Sequence, residues 1–184
     1  MMMRSMFMSE FSESYHLRTD NQQDVVNLIK ETNNKGYVFP AQNGWVTFVV
    51  EGSAFDIDES VISQNPGILV HYIFAEDHGW ELRVFRKDDL IFEYACGWTD
   101  EIQIEKSVFN IDVLTELIME QGNSAEGIES LFDVGEETFN MEQPPAYTVA
   151  EKLGLTYYEW LSADYLGRDD IDEHILVVEY KEKK

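Results

Sequence analysis

A short polar cluster, Glu76-Asp77-His78, has residue types that could bind a ligand or take part in catalysis, and His71 precedes it by a few positions. Carboxylates beside an imidazole can ligate a metal ion or transfer a proton as general acid and base. The same residue types also suit a solvent-facing turn, whose consecutive side chains seldom converge on one ion. The sequence therefore leaves two interpretations open: a polar turn, or a ligand or metal site built from His71, Glu76, Asp77 and His78.

Two acidic runs, Asp56 to Glu59 and Asp169 to His174, are candidate cation sites. Neither continues as an EF-hand loop, because Val61 and Ile175 stand where that loop needs its turn glycine. Both are predicted to be solvated acidic loops.

Cys96 is the one cysteine, and it ends an apolar stretch. A nucleophilic cysteine needs a neighbouring base and a lowered pKa, and the sequence places neither, so a buried small side chain is expected. The motifs of serine hydrolases, phosphate-binding loops, zinc proteases and dinucleotide-binding folds are all missing. No cofactor is predicted, and enzymatic activity is not favoured.

The adjacent Tyr157 and Tyr158 form the best candidate contact for a partner protein. On the helix predicted here, at least one of the two rings must point away from the core. Tyrosine is common at interface hot spots with a polar surround. The predicted partner-binding residues are Tyr157, Tyr158, Glu151, Glu159 and Asp164.

The stretch from Thr148 to Leu161 resembles a helix-turn-helix in its spacing of Ala150 and Gly154. Members of that family read DNA with a recognition helix that carries residues able to meet phosphates and base edges. The corresponding segment here has carboxylates and no lysine or arginine. A structural corner between two helices is therefore predicted.

An internal repeat organises the first half of the chain. Residues 37–49 align without a gap on residues 72–84, an offset of 35, with five identities in thirteen positions that include Trp45 and Trp80. Each copy has the pattern of a β-hairpin, with Gly44 or Gly79 expected to supply a positive φ. A helical pattern precedes each copy, the first from Asp20 and the second over residues 58–64. Both tryptophans are expected in the core.

These patterns predict an α+β fold. Its mostly antiparallel sheet, of about six strands, is built from a duplicated helix-hairpin unit with helices on one face, and an acidic helical C-terminal segment follows. The predicted organisation is a disordered leader over residues 1–12, a sheet domain over 13–106 and an acidic helical C-terminal part over 107–184, packed on the sheet. Helices are expected at Ile111–Glu120, from Ser124, at Tyr147–Leu153 and from Thr156 to Gly167, with a late strand at Ile175–Tyr180.

The formal charge of −23 bears most on function. Phosphate backbones and anionic lipids are normally bound by lysine and arginine, so nucleic acid and membrane surfaces are not expected as partners.

Residues 97–180 alone carry 20 acidic and three basic residues. The sequence predicts a non-enzymatic interaction module for a basic protein, of the inhibitor, immunity (antidote) or nucleic-acid-mimic type. The alternative is a small-ligand or metal-binding protein or a hydrolase that uses a groove between the hairpin repeats. A single cysteine and the lack of a long apolar run make the cytoplasm the expected compartment.

Overall fold

The computed structural model describes residues 9–32, 34–52, 56–140, 143–168 and 172–179. The elements in chain order are β1 (Phe11–Arg18), α1 (Gln22–Thr32), β2 (Gly36–Val38), β3 (Trp45–Val50), α2 (Glu59–Gln64), β4 (Ile68–Ala75), β5 (Gly79–Arg86), β6 (Asp89–Gly97), β7 (Gln103–Val108), α3 (Ile111–Glu120), 3-10 turns at Ile128–Phe132 and Glu136–Asn140, α4 (Pro145–Leu153), α5 (Ala163–Arg168) and β8 (Leu176–Val178).

One eight-stranded antiparallel sheet forms the centre of the molecule, with the strand order β7-β6-β5-β4-β1-β3-β2-β8. The predicted α+β class with its antiparallel sheet is confirmed. β1 starts at Phe11, within the predicted leader, and residues 1–8 lie outside the described residues. The predicted late strand is present as β8 at the edge of the sheet, where Val177 pairs with Tyr37.

The two hairpin copies flank β1, because β3 pairs with one side of it and β4 with the other. Their registers differ: Tyr37 pairs with Val49, whereas Tyr72 pairs with Leu82. The two copies are therefore not adjacent in the sheet, because β1 lies between them.

Helices α1 and α2 lie on the same face of the sheet. They bury their apolar residues against Tyr15, Phe48 and Leu69 of three neighbouring strands. Alternation along β1 directs Tyr15 to this face and its even-numbered neighbours to the other. Asp58 is the N-cap of α2, and its Oδ1 accepts hydrogen bonds from the backbone N–H groups of Ser60 and Val61. That carboxylate of the first acidic run is thus a helix cap.

The C-terminal segment covers the opposite face. α3, the first 3-10 turn and α4 share a cluster with Tyr72, Trp80 and Tyr94 of the sheet. α3 has the predicted bounds, and α4 ends at Gly154, whose φ of 88° is the left-handed cap expected there. Trp45 and Trp80 are both buried in this layer, as predicted.

Two of the predicted C-terminal helices differ from the structure. Residues 155–162 form an irregular segment, and α5 is only Ala163–Arg168, so the second helix of the proposed corner is not formed. The helix expected after Ser124 is a single 3-10 turn. In each case the backbone follows tertiary contacts instead of its local capping signal.

The two hairpin glycines act differently. Asn43 and Gly44 both have positive φ and form a two-residue turn, closed by reciprocal hydrogen bonds between Gln42 and Trp45. The expectation of a positive φ at Gly79 is wrong: a Cβ built there would lie 2.2 Å from the carbonyl oxygen of Cys96. Gly79 is required for close approach of β5 to β6.

None of the helices in the described ranges is long and apolar enough to span a membrane.

Candidate functional site

His71 lies on the α1/α2 face of β4 and is fully buried. Its Nε2 is 2.9 Å from Oε2 of Glu13, and its ring packs against Tyr15 with centroids 4.7 Å apart. Its Nδ1 has no hydrogen-bond partner among the described residues. The imidazole is held inside the sheet layer by one carboxylate.

The Glu76-Asp77-His78 cluster forms the turn between β4 and β5, and all three side chains are exposed. His71 is five residues away along the chain and fully buried within the sheet layer, so the structure does not bring the four candidates together. Over the ranges the structure describes, no group of three histidine, cysteine or acidic side chains is placed to hold a metal ion.

Glu76 nevertheless lines a pocket that the sequence did not reveal. The pocket has a volume of about 190 Å³ and is walled by Phe74, Trp80 and Trp98, with Pro144 and Pro145 at the start of α4. Glu76 is the one charged residue among its described walls. An apolar cavity of about 150 Å³ can hold benzene, so this pocket can hold a small organic molecule.

The pocket walls are fixed by contacts on their outer sides. The Trp80 ring stacks on Phe132 at a centroid distance of 5.1 Å. The Trp98 Nε1–H donates to the backbone oxygen of Glu76 at 2.8 Å. The Glu76 Oε1 accepts the backbone N–H of Glu10 at 3.0 Å. The aromatic surfaces and the carboxylate are therefore held in place before any ligand arrives.

Glu10 is a buried carboxylate that joins the sheet to the C-terminal segment. It accepts hydrogen bonds from the hydroxyl of Ser12 at 2.6 Å, from the backbone N–H of Trp160 at 2.8 Å and from the hydroxyl of Tyr147. Burial and this carboxylate raise the pKa of Tyr147, which keeps the phenol protonated as the donor. These three hydrogen bonds give the Glu10 carboxylate a structural role.

The predicted partner-binding residues are only partly exposed. Tyr158 is buried and donates to Oε1 of Glu151 at 3.1 Å, while Tyr157 is half-buried against Phe39 with centroids 4.8 Å apart. Glu151 and Glu159 are exposed. Asp164 lies in α5, and its side chain is outside the described part of the structure.

The second acidic run is only partly visible, because residues 169–171 lie outside the described residues. Asp172 accepts the backbone N–H of His174 at 2.8 Å, a local turn contact.

Cys96 is buried, as expected, beside Tyr94 on β6. Burial raises the pKa of its thiol, which disfavours the reactive thiolate.

His16 is a second buried histidine, and it lies on the C-terminal face of β1. Its Nε2 is 2.9 Å from the Ser14 hydroxyl and its Nδ1 is 2.8 Å from the Thr47 hydroxyl. Burial, with a smaller effect of His71, lowers its pKa to about 3, so the ring is neutral.

Residues 111–138 form an acidic surface, called here the acidic segment. Its buried side chains, including Leu114, Ile118 and Phe132, anchor it to the sheet. Its carboxylates are all exposed: Asp112, Glu116, Glu120, Glu126, Glu129, Asp133, Glu136 and Glu137.

Comparison of the chain with models of protein families, with curated proteins and with solved structures found no match.

Proposed function

We propose that the protein is a non-enzymatic binding module whose acidic segment recognises a basic protein. The inhibitor, immunity or nucleic-acid-mimic type of interaction suits this chemistry. The observation that supports the proposal is the set of eight exposed carboxylates on one folded segment of 28 residues.

Within the described ranges, few lysine and arginine side chains lie close to these carboxylates. The acidic segment itself contains no lysine or arginine. Arg18 approaches Glu120 at 3.7 Å, and Lys106 approaches Asp133 at 3.0 Å. Ion pairs at the surface contribute little to stability, and the other carboxylates repel one another in the free protein. Lysines and arginines of a partner would relieve that repulsion.

The carboxylates are carried by ordered structure. Leu114, Leu117 and Ile118 fix α3 on the sheet, so its outer face presents Asp112 and Glu116 with little further ordering cost on binding. Met119 is 65% exposed on the same helix and offers an apolar contact. Long-range attraction would speed the encounter, and such contacts would then hold the complex.

Glu151 and Glu159 extend the proposed surface from the neighbouring α4 and the segment after it. Tyr157 is the tyrosine of the predicted pair that keeps partial exposure. The single cysteine makes a reducing compartment, the cytoplasm, the proposed place of this encounter.

Capture from source-cell lysate on the immobilised protein tests the proposal, at about 50 mM and about 500 mM NaCl. A basic protein retained at the lower salt and released at the higher is the expected result. A partner that is retained equally at both concentrations, or one that is itself acidic, would count against it.

A further inference from the structure

We propose that the pocket walled by Phe74, Trp80 and Trp98 binds a small organic cation of the alkylammonium class. The proposal does not rest on the basic-partner function. The pocket combines aromatic walls with one carboxylate, and each of these features selects part of the ligand.

The aromatic walls select an apolar cation. Phe74 and Trp98 have ring centroids 6.2 Å apart and are tilted by 56°, so the two rings are not stacked on each other. The negative faces of tryptophan and phenylalanine attract alkylammonium groups, and methyl groups on the nitrogen fit such surfaces. The volume of about 190 Å³ suits a ligand of this small size.

The Glu76 carboxylate selects positive over negative charge. Its Oε1 is used by the Glu10 backbone N–H, whereas its Oε2 has no partner within the described ranges. The hydrogen bond from Glu10 fixes the side chain, and the net charge of −23 adds to the attraction for cations.

Choline is a quaternary ammonium ion of this small size and is therefore the probe of choice.

Calorimetric titration of the full chain with choline and with 3,3-dimethyl-1-butanol isolates the charge, because the alcohol has the same shape with carbon in place of nitrogen. Choline should bind saturably, with a Kd at least about tenfold lower than that of the alcohol.

Glu76→Gln and Asp77→Asn form a matched pair. Both remove one carboxylate from the same turn, but only Glu76 lines the pocket, and a glutamine still accepts the Glu10 N–H. Glu76→Gln should bring the two Kd values within about threefold, whereas Asp77→Asn should leave the preference unchanged. Trp98→Leu should weaken choline binding about tenfold. Melting curves identify any variant that has lost its fold.

Three results would overturn the proposal. They are the lack of saturable choline binding to the wild-type protein up to about 50 mM, equal affinity for the uncharged alcohol, and equal loss of choline preference in Glu76→Gln and Asp77→Asn.

Discussion

The backbone N–H of Trp160 donates to Oε2 of Glu10 at 2.8 Å, across 150 positions of the chain. Trp160 has a φ of 50°, which is unusual for a non-glycine residue, and this hydrogen bond helps to hold it there. The same carboxylate binds Ser12 and Tyr147. One buried acidic side chain thus joins the first strand to both α4 and the irregular segment before α5.

Glu10→Ala should destabilise the fold by about 3 kcal/mol or more, because it leaves three donors without their acceptor. Glu10→Gln, which keeps one carbonyl oxygen, should lie between that variant and the wild type. Urea denaturation of the three proteins measures the free energies of unfolding. If the free energy of unfolding of Glu10→Ala were lower than that of the wild type by less than about 0.5 kcal/mol, Glu10 would not hold the segments together.

His16 should make stability depend on pH below neutrality. Its pKa is lowered from 6.5 to about 3 on folding, so the unfolded chain binds the proton more tightly. The contribution of neutral His16 is therefore fully present above pH 6.5 and is lost as the pH falls toward 3.

His16→Gln isolates this effect from the many carboxylates. The variant should be less stable than wild type at pH 7 by about 1–3 kcal/mol, since buried hydrogen bonds are lost. The difference should narrow by up to about 1.4 kcal/mol per pH unit below 6.5, because only the wild type has this histidine to protonate. A difference that stays constant from pH 7 to pH 4 would contradict the assignment of a neutral buried ring.

Gly79→Ala should destabilise the protein by about 2 kcal/mol or more, because the new Cβ meets the backbone oxygen of Cys96. Gly67→Ala is the matched control, since a Cβ there has no neighbour within 4 Å. The control should be neutral or slightly stabilising, through lower entropy of the unfolded chain. Thermal melts that rank the two variants equally would be inconsistent with this role of Gly79.

Moderate salt should stabilise the protein. Its charge of −23 repels itself, and screening weakens that repulsion more than it weakens apolar burial. The melting temperature should rise by roughly 2–4 °C between low and moderate NaCl, which corresponds to about 1 kcal/mol for a chain of this size. A fall over the same range would mean that the described ion pairs outweigh the repulsion.

Local patterns in the sequence predicted much of the sheet and several helices. The bounds of α3, the Gly154 cap and the buried Trp45 and Trp80 follow from periodicity, from capping preferences and from the internal repeat. The order of strands could not be predicted in this way. Placement of β1 between the hairpins depends on pairing of residues that are distant in sequence, such as Tyr15 with Phe48 and His71.

Local signals misled where long-range contacts decide the backbone. The Thr156 capping pattern predicted a helix, but Tyr158 and Leu161 are buried against other elements and residues 155–162 follow those contacts. The Glu10 cluster left one signal in the sequence: polar residues at alternate positions of β1 that proved to face the C-terminal layer. The pocket left none, because Phe74, Trp98 and Pro144 meet only in the folded chain.

The most direct test of the basic-partner proposal compares two quadruple variants that carry the same net charge. One changes Glu116, Glu126, Glu129 and Glu136 in the acidic segment to glutamine. The other changes the exposed Asp20, Glu31, Asp56 and Asp88 elsewhere on the surface to the corresponding amides.

Each variant carries −19 instead of −23, so any difference between them reports the position of the charge and not its total. The Kd for the captured basic protein should rise at least about tenfold in the first variant and by less than about threefold in the second, at about 50 mM NaCl. Equal weakening of binding in both variants, or no weakening in either, would contradict the claim that residues 111–138 form the binding surface.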